Sequence, residues 1–377
     1  MGLLLFAAGC KQGLHFFEKF QEIPTKGAAA VRFFSIGDDL FLVFANHYGD
    51  RSKYKTKSVI YKMENKRFVL IQTLVTHGAN GVEHFTIDGV HYIAIANHYD
   101  AGYKLNSVIY KWSKGKFEEF QDVSTNGASV LKFFTIDEEH YLAFSEYSDG
   151  TTNSVDSFVY KWKRGRFMKY QNISTDGARA CDSIVIANET FLVHANYFHS
   201  QSKHSTESSV YKWSGGHFLK FQSVQTQGAY SAKFFRVDGH VFLAFAHYYT
   251  GSKYNMKSPI YKWDGVKFTL FQEIPTQGAI LRCTPLRRMV KCSSLLQITL
   301  KTVADTQFAQ MCTRLLEHSL LFTKICKPSE LMEYTPLSTK TKHTLCLLII
   351  AKAIITPIAL FTSFSSKSVL YWQIIQS

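Results

Sequence analysis

No glycine follows Gly278, although 22 lie at or before it. Tight turns and β-hairpins rely on glycine for positive φ, so residues 279–377 read as a tail distinct from what precedes them. Cysteine is nearly absent from the front: only Cys10 and Cys181 precede Ala279, while Cys283, Cys292, Cys312, Cys326 and Cys346 follow it. Two cysteines exclude a disulfide framework there and say little about compartment. Also lacking are Gly-x-Ser-x-Gly, His-Glu-x-x-His, a paired-cysteine zinc spacing and a phosphate-cradling glycine loop. Their absence removes the usual sequence marks of nucleophilic, metal and nucleotide chemistry. Negative charge is scarce, with 29 Asp and Glu against 43 Lys and Arg and a net charge of +14. The tail alone holds 12 Lys and Arg against 4 Asp and Glu, so much of the basicity lies outside the front part and no nucleic-acid partner is expected.

What is present is a copied unit. The phrase Phe271-Gln-Glu-Ile-Pro-Thr-Gln-Gly-Ala279 recurs with its glutamine at Gln21, Gln72, Gln121, Gln171 and Gln222, in steps of 49 to 51. Tyr61, Tyr110, Tyr160, Tyr211 and Tyr261 keep the same step independently. Each copy holds four apolar runs and three turns, and a period near 50 with four strands belongs to propeller blades. The fold class expected is therefore all-β, a β-propeller of four-stranded antiparallel blades. Within a copy, strand A is Gly27 to Ile36 and strand B the unbroken apolar run Leu40 to Ala45, a pattern that calls for cover on both faces. Strand C ends at Met63 or at Trp112, Trp162, Trp213 and Trp263, and strand D carries the Phe-Gln pair. Asp88-Gly89, Asp238-Gly239 and Lys114-Gly115 supply tight hairpin turns.

The complete blades span 28–76, 79–125, 128–175, 178–226 and 229–276, within a propeller region of 16–278. A sixth blade begins at Gly278 to Arg282. Residues 1–15 read as a partial blade or weak signal; the apolar run Met1 to Ala8 is short and has no basic residue before it, which counts against a signal peptide. In the tail, Asp305 to Lys327 has helical periodicity, and Leu345 to Phe364 is apolar but holds Lys352 and Pro357. Because the copied pattern breaks inside a strand, a shifted frame or read-through of non-coding sequence is favoured over a genuine appendage. Membrane contact is expected only if Leu345 to Phe364 is a real segment.

The Phe-Gln-x-Ile-x-Thr-x-Gly-Ala phrase, the Phe-Phe-x-Ile-Asp strand, Ala-Asn-His-Tyr at Ala45 to Tyr48 and Ala96 to Tyr99, and Val-Ile-Tyr-Lys-Trp resemble the epilepsy-associated repeat, also called the EAR or EPTP repeat. The resemblance covers Phe16 to about Arg282. It implies a seven-bladed extracellular propeller that binds other proteins, in cell adhesion or Notch-type receptor signalling, with a receptor outside the cell or at its surface as partner. Five full blades stand where that family has seven. Other readings are a propeller enzyme or carbohydrate-binding propeller with its site at the channel mouth, and a kelch-like intracellular scaffold. The latter should show Gly-Gly ending a strand in every blade, whereas Gly215-Gly216 sits in a turn.

His47 and His98, with His194 and His247 displaced by one or two places, would form a ring interrupted by Tyr147 and Tyr197 and not a cluster, so no metal, cofactor or catalytic residue is assigned. Asp88, Asp137 and Asp238 read as turn residues before they read as calcium ligands. The periodic tryptophans suit packing between blades better than a sugar platform. Asn172-Ile-Ser and Asn188-Glu-Thr are glycosylation candidates in a secreted chain. The B–C loops and D–A connections share one face, and the B–C loops vary between copies, as recognition loops on a rigid scaffold do. Tyr54, Tyr103 and Tyr254, with Arg51, Lys53, Lys55, Lys104 and Lys253, form the expected partner-binding set. Lys26, His77, Asn126, Asp176 and Gln227, before each Gly-Ala, are expected to ring the channel mouth on the same face.

Overall fold

The computed structural model describes residues 2–11, 14–49, 54–282, 297–299 and 373–376. The helical and apolar readings at 305–327 and 345–364 lie outside the described residues. Two compact units divide the chain, one holding Pro24–Thr284 and Leu296–Leu300, the other holding Gly2–Ile23 with Pro285–Leu295 and Lys301–Ser377. In the second unit β1 (Gly2–Lys11) lies between β2 (Leu14–Pro24) and the short β25 (Gln373–Gln376) in one sheet.

The first unit is five four-stranded antiparallel meanders. They are β3 (Ala28–Ile36), β4 (Asp39–Asn46), β5 (Lys55–Glu64) and β6 (Arg67–His77); β7 (Ala79–Ile87), β8 (Val90–Asn97), β9 (Lys104–Ser113) and β10 (Lys116–Asn126); β11 (Ala128–Ile136), β12 (Glu139–Glu146), β13 (Ser154–Lys163) and β14 (Arg166–Asp176); β15 (Ala178–Ile186), β16 (Glu189–Asn196), β17 (Ser205–Ser214) and β18 (His217–Gln227); and β19 (Ala229–Val237), β20 (His240–His247), β21 (Asn255–Trp263) and β22 (Phe268–Gln277). A remnant follows, β23 (Ile280–Arg282) paired with β24 (Gln297–Thr299). The first strands β3, β7, β11, β15 and β19 pack side by side in that order, so each sheet runs outward from them as a propeller blade does.

Each repeated phrase has a physical task. Second strands are buried on both faces, as Phe41 to Asn46 shows, because neighbouring blades cover both sides. The serine opening Ser-x-x-Tyr-Lys meets the threonine of Thr-x-Gly-Ala in every sheet; Ser58 and Thr76 hydroxyls are 2.9 Å apart, and Ser258 and Thr276 2.7 Å. The same Ser58 hydroxyl accepts the Asn46 N–H at 3.2 Å, so the polar groups are satisfied inside the core. The glycine after Thr-x has φ near +53° at Gly78 and +52° at Gly177, and its N–H donates to Tyr54 O and Asn153 O respectively. A Cβ at Gly78 would lie 2.6 Å from Tyr99 O and one at Gly177 2.8 Å from Phe198 O, so only glycine fits beneath the B–C loop.

The phrase Phe-Gln ties blade to blade. Gln72 Nε2 donates to Phe117 O at 2.6 Å and its Oε1 accepts the Phe117 N–H at 2.9 Å, and Gln121, Gln171 and Gln222 treat Phe167, Phe218 and Phe268 alike. The tryptophans complete the joint. Trp213 meets Tyr141 at 5.2 Å and Tyr170 at 6.1 Å in the preceding blade, and Trp162 meets Tyr92 and Phe120 in the same manner. Tyrosine hydroxyls add a cross-blade bond, Tyr160 Oη to Ser124 O at 2.7 Å.

Candidate functional site

The second residue of every first strand is a β-bulge, with register shifts at Ala28/Ala30, Ala79/Gly81, Ala128/Val130, Ala178/Ala180 and Ala229/Ser231. A bulged residue leaves the ladder and its side chain is re-aimed. The five bulged residues are Ala29, Asn80, Ser129, Arg179 and Tyr230, all beside the D–A glycines at one end of the innermost strands. This is the face that also carries the B–C loops.

Around it runs an arc of aromatic rings. Tyr54 meets Tyr99 at 4.7 Å, Tyr99 meets Tyr103 at 4.9 Å, and Tyr103 meets Tyr147 at 5.7 Å. Further round, Tyr197 lies 5.7 Å from Tyr230, Tyr230 5.1 Å from Tyr248, and Tyr248 5.5 Å from Tyr254. Tyr54 and Tyr103 are half-buried, their rings pressed on Gly78 and Gly127, while Tyr254 is 46% exposed. Tyr54, Tyr103, Asn153, His204 and Tyr254 occupy one repeated position whose carbonyl caps the glycine N–H. Lys55, Lys104 and Lys253 are exposed, and Lys104 Nζ lies 3.4 Å from Asp149 Oδ2. Arg51 and Lys53 lie outside the described residues. The loops are bounded tightly: Asp149 Oδ1 accepts the Thr151 hydroxyl at 2.7 Å and the Thr152 and Thr151 N–H groups at 2.9 Å, and these bonds hold its carboxyl well below the usual range.

Arg179 occupies the mouth. Its guanidinium lies 3.7 Å from the centre of the Tyr147 ring, with Tyr230 at 5.4 Å and Tyr197 at 5.6 Å. Nη1 donates to His98 Nε2 at 3.2 Å, and the other imidazole nitrogen, Nδ1, donates to Gly127 O at 2.8 Å. Burial, then Arg179, then His47 hold His98 far below the ordinary histidine range, so it is the neutral acceptor this bond needs. His47 repeats the tie to Gly78 O at 3.0 Å. The His47 and His98 rings are neighbours at 5.7 Å, while His194, buried within β16 and pushed down by burial to about 3, meets the Ser145 hydroxyl at 3.2 Å, and burial lowers His247 to about 4. Among the described residues no three His, Cys, Asp or Glu side chains form a group able to hold a metal ion.

Three residues further along the innermost strands lies a second layer the repeat pattern did not announce. Arg32, Glu83, Lys132, Asp182 and Lys233 alternate in sign on five neighbouring strands. Arg32 pairs with Glu83; Lys132 lies 3.6 Å from Glu83 and 3.7 Å from Asp182; Lys233 lies 3.0 Å from Asp182. Burial raises the Asp182 carboxyl, but Lys233 and Lys132 more than offset it, and the group ends below its ordinary value. Burial likewise lowers Lys132, and Glu83 and Asp182 lift it above the ordinary lysine value. Asp182 and Lys132 are thus held in their charged forms, which suits structural pairing.

The remaining positions fall elsewhere. Asp88, Asp137 and Asp238 sit in A–B turns at φ 46° to 49°, on the face opposite the loops. Of the residues before each Gly-Ala, His77 and Asp176 meet loop partners, His77 Nδ1 lying 2.5 Å from Asp100 Oδ2 and Asp176 Oδ1 3.9 Å from His199 Nε2. Asn172 and Asn188 are exposed, the first donating to Asp156 Oδ2 at 3.0 Å and the second in an A–B turn.

Comparison with known proteins finds relatives in sequence and neighbours in structure. A stretch of 84 residues is 43% identical to the human (Homo sapiens) thrombospondin-type laminin G domain and EAR repeat-containing protein and 39% identical to the Mus musculus protein of that name. It spans 22% of this chain and 12% of each relative. The structure of Penicillium chrysogenum α-L-arabinanase complexed with arabinobiose matches with a TM-score of 0.44 and 12% identity, over 75% of this chain and 90% of that one. The EPTP domain model matches residues 17–62, 67–113, 116–163, 166–214 and 217–264, and the last four copies each begin on the fourth strand of one sheet and take in the first three strands of the next. Those matches take in well over half of the sequence, and the chain belongs to the EPTP domain family.

Proposed function

We propose that this chain is a non-enzymatic protein-interaction module that works outside the cell or at its surface. The observation that carries the reading is the loop face: variable B–C loops, aromatic rings and exposed lysines are held on sheets locked to one another by paired glutamine and tryptophan joints. A pre-ordered surface loses little conformational freedom on binding, and tyrosines beside cations are common anchors of protein interfaces. The partner is an extracellular or cell-surface receptor, and adhesion or Notch-type signalling is the setting that the family resemblance supplies.

The test is retention on intact cells. Lys104→Glu with Lys253→Glu should lower surface binding at least tenfold while leaving Tm unchanged. Unaltered binding by a folded double variant, alongside lost binding by changes on the A–B turns, would overturn the reading.

A further inference from the structure

We propose that the channel mouth around Arg179 is a receptor for a single carboxylate, an aspartate or glutamate side chain presented by an acidic segment of the partner protein. The inference rests on the interaction reading above and gives that partner a chemistry.

Four observations converge. First, Arg179 makes no ion pair with any carboxylate among the described residues, although four of the five charges three residues further along the innermost strands are joined at 3.0 to 3.7 Å and the fifth pairs directly with its neighbour. Second, its Nε is buried and has no hydrogen-bond partner, and its one polar contact is the weak acceptor His98 Nε2 at 3.2 Å. A guanidinium carries five donors, so most of its hydrogen-bonding capacity is unspent. Third, among the described residues the row of charges on the innermost strands counts three cations against two carboxylates, a surplus and not a deficit of positive charge. Asp182, three residues along the same strand, is engaged by Lys132, Lys233 and the Phe234 N–H, and is not available to Arg179. Fourth, the cation is held in place without being neutralised. Tyr147, Tyr197 and Tyr230 face it with their rings, which fixes the guanidinium by cation–π attraction while leaving its charge.

Glu146, next to Tyr147, is buried, accepts the Asn126 N–H and makes no ion pair among the described residues. One planar fork with unit charge matches one carboxylate, which it can grip through two parallel N–H bonds. A phosphate of nearly two charges would call for more cations than the mouth provides. The bulge at Ala178/Ala180 explains why the fork stands at the mouth: Arg179 is the residue that leaves the ladder.

The experiment titrates the full chain with a labelled acetyl-tetraglutamate peptide, an acetyl-tetraglutamine peptide and inorganic phosphate as competitor. Expected are saturable binding of the glutamate peptide that weakens with salt, no binding of the glutamine peptide, and at least a tenfold rise in Kd for Arg179→Met. Arg179→Lys, which keeps the charge without the fork, should bind several-fold more weakly than the wild type and stay folded if Arg179→Met does not. Equal affinity for the two peptides, wild-type affinity in either folded variant, or displacement by phosphate at equal concentration would overturn the site. Cell retention separates the two claims. Should Arg179→Met bind cells like the wild type while the Lys104 and Lys253 changes abolish binding, the carboxylate site falls and the interaction reading stands. Should the peptide be lost with Arg179 while no change on this face alters retention, the site stands and the interaction reading falls.

Discussion

Gln171 grips the backbone of Phe218 in the next blade from both sides, donating from Nε2 to the carbonyl at 2.8 Å and accepting the N–H on Oε1 at 2.9 Å. Removing the amide strands a donor and an acceptor on a buried strand start. Gln171→Leu should therefore cost about 2 kcal/mol in urea unfolding. Gln272 is an internal control, since its Oε1 has no hydrogen-bond partner, and Gln272→Leu should cost less than half as much.

Glu146 stands where other blades place Asn46, Asn97 and Asn196. Those amides donate to a third-strand carbonyl, as Asn97 Nδ2 does to Asn106 O at 2.9 Å. Glu146 Oε2 accepts the Asn126 N–H at 2.5 Å, while Oε1 is buried and unpartnered. Burial pushes the group up to about 8 and so favours the neutral carboxyl in the folded state. The folded state then holds a proton that the unfolded chain has released above about pH 4.3, so stability falls as pH rises from there to about 8. Glu146→Gln should flatten that slope in thermal melts and add about 1–3 kcal/mol at pH 8.

Tyr103 and Tyr254 repeat one position but differ in burial. Tyr103 packs on Gly127, Tyr99 and Tyr147, whereas Tyr254 is 46% exposed. Tyr103→Ala should lower stability by about 2–3 kcal/mol and Tyr254→Ala by less than half of that, measured by chemical denaturation.

Asp182 is the hinge of the charged layer, receiving Lys132, Lys233 and the Phe234 N–H. Asp182→Asn leaves two buried ammonium groups short of a counter-charge, and a loss of about 3–5 kcal/mol is expected. Adding Lys233→Met should restore part of it, a positive coupling that a double-mutant cycle would read.

Much of this was legible in the copied phrases. The steps from Gln72 to Gln121 to Gln171, and the tryptophans at one strand end, mark out the repeated four-stranded sheets because each has the same neighbour in successive copies. The task of the glutamine was hidden, since its partner is a backbone 45 to 47 residues away and any residue type could supply it. The alternation of Arg32, Glu83, Lys132, Asp182 and Lys233 is visible once the copies are aligned. Its meaning requires knowing that first strands lie side by side. Arg179 was the hardest to see: Ala29, Asn80, Ser129 and Tyr230 make the column look merely variable, and only the bulge brings it to the mouth.

The central claim is that one face of this scaffold meets a protein partner. A photoreactive residue placed at Lys253, on the loop face, and in a second chain at Val266, 76% exposed in the turn on the opposite face, tests it on intact cells. Discrete protein adducts from position 253, with none from 266, are the result expected. Adducts from 266 alone, or equally from both, would contradict the account.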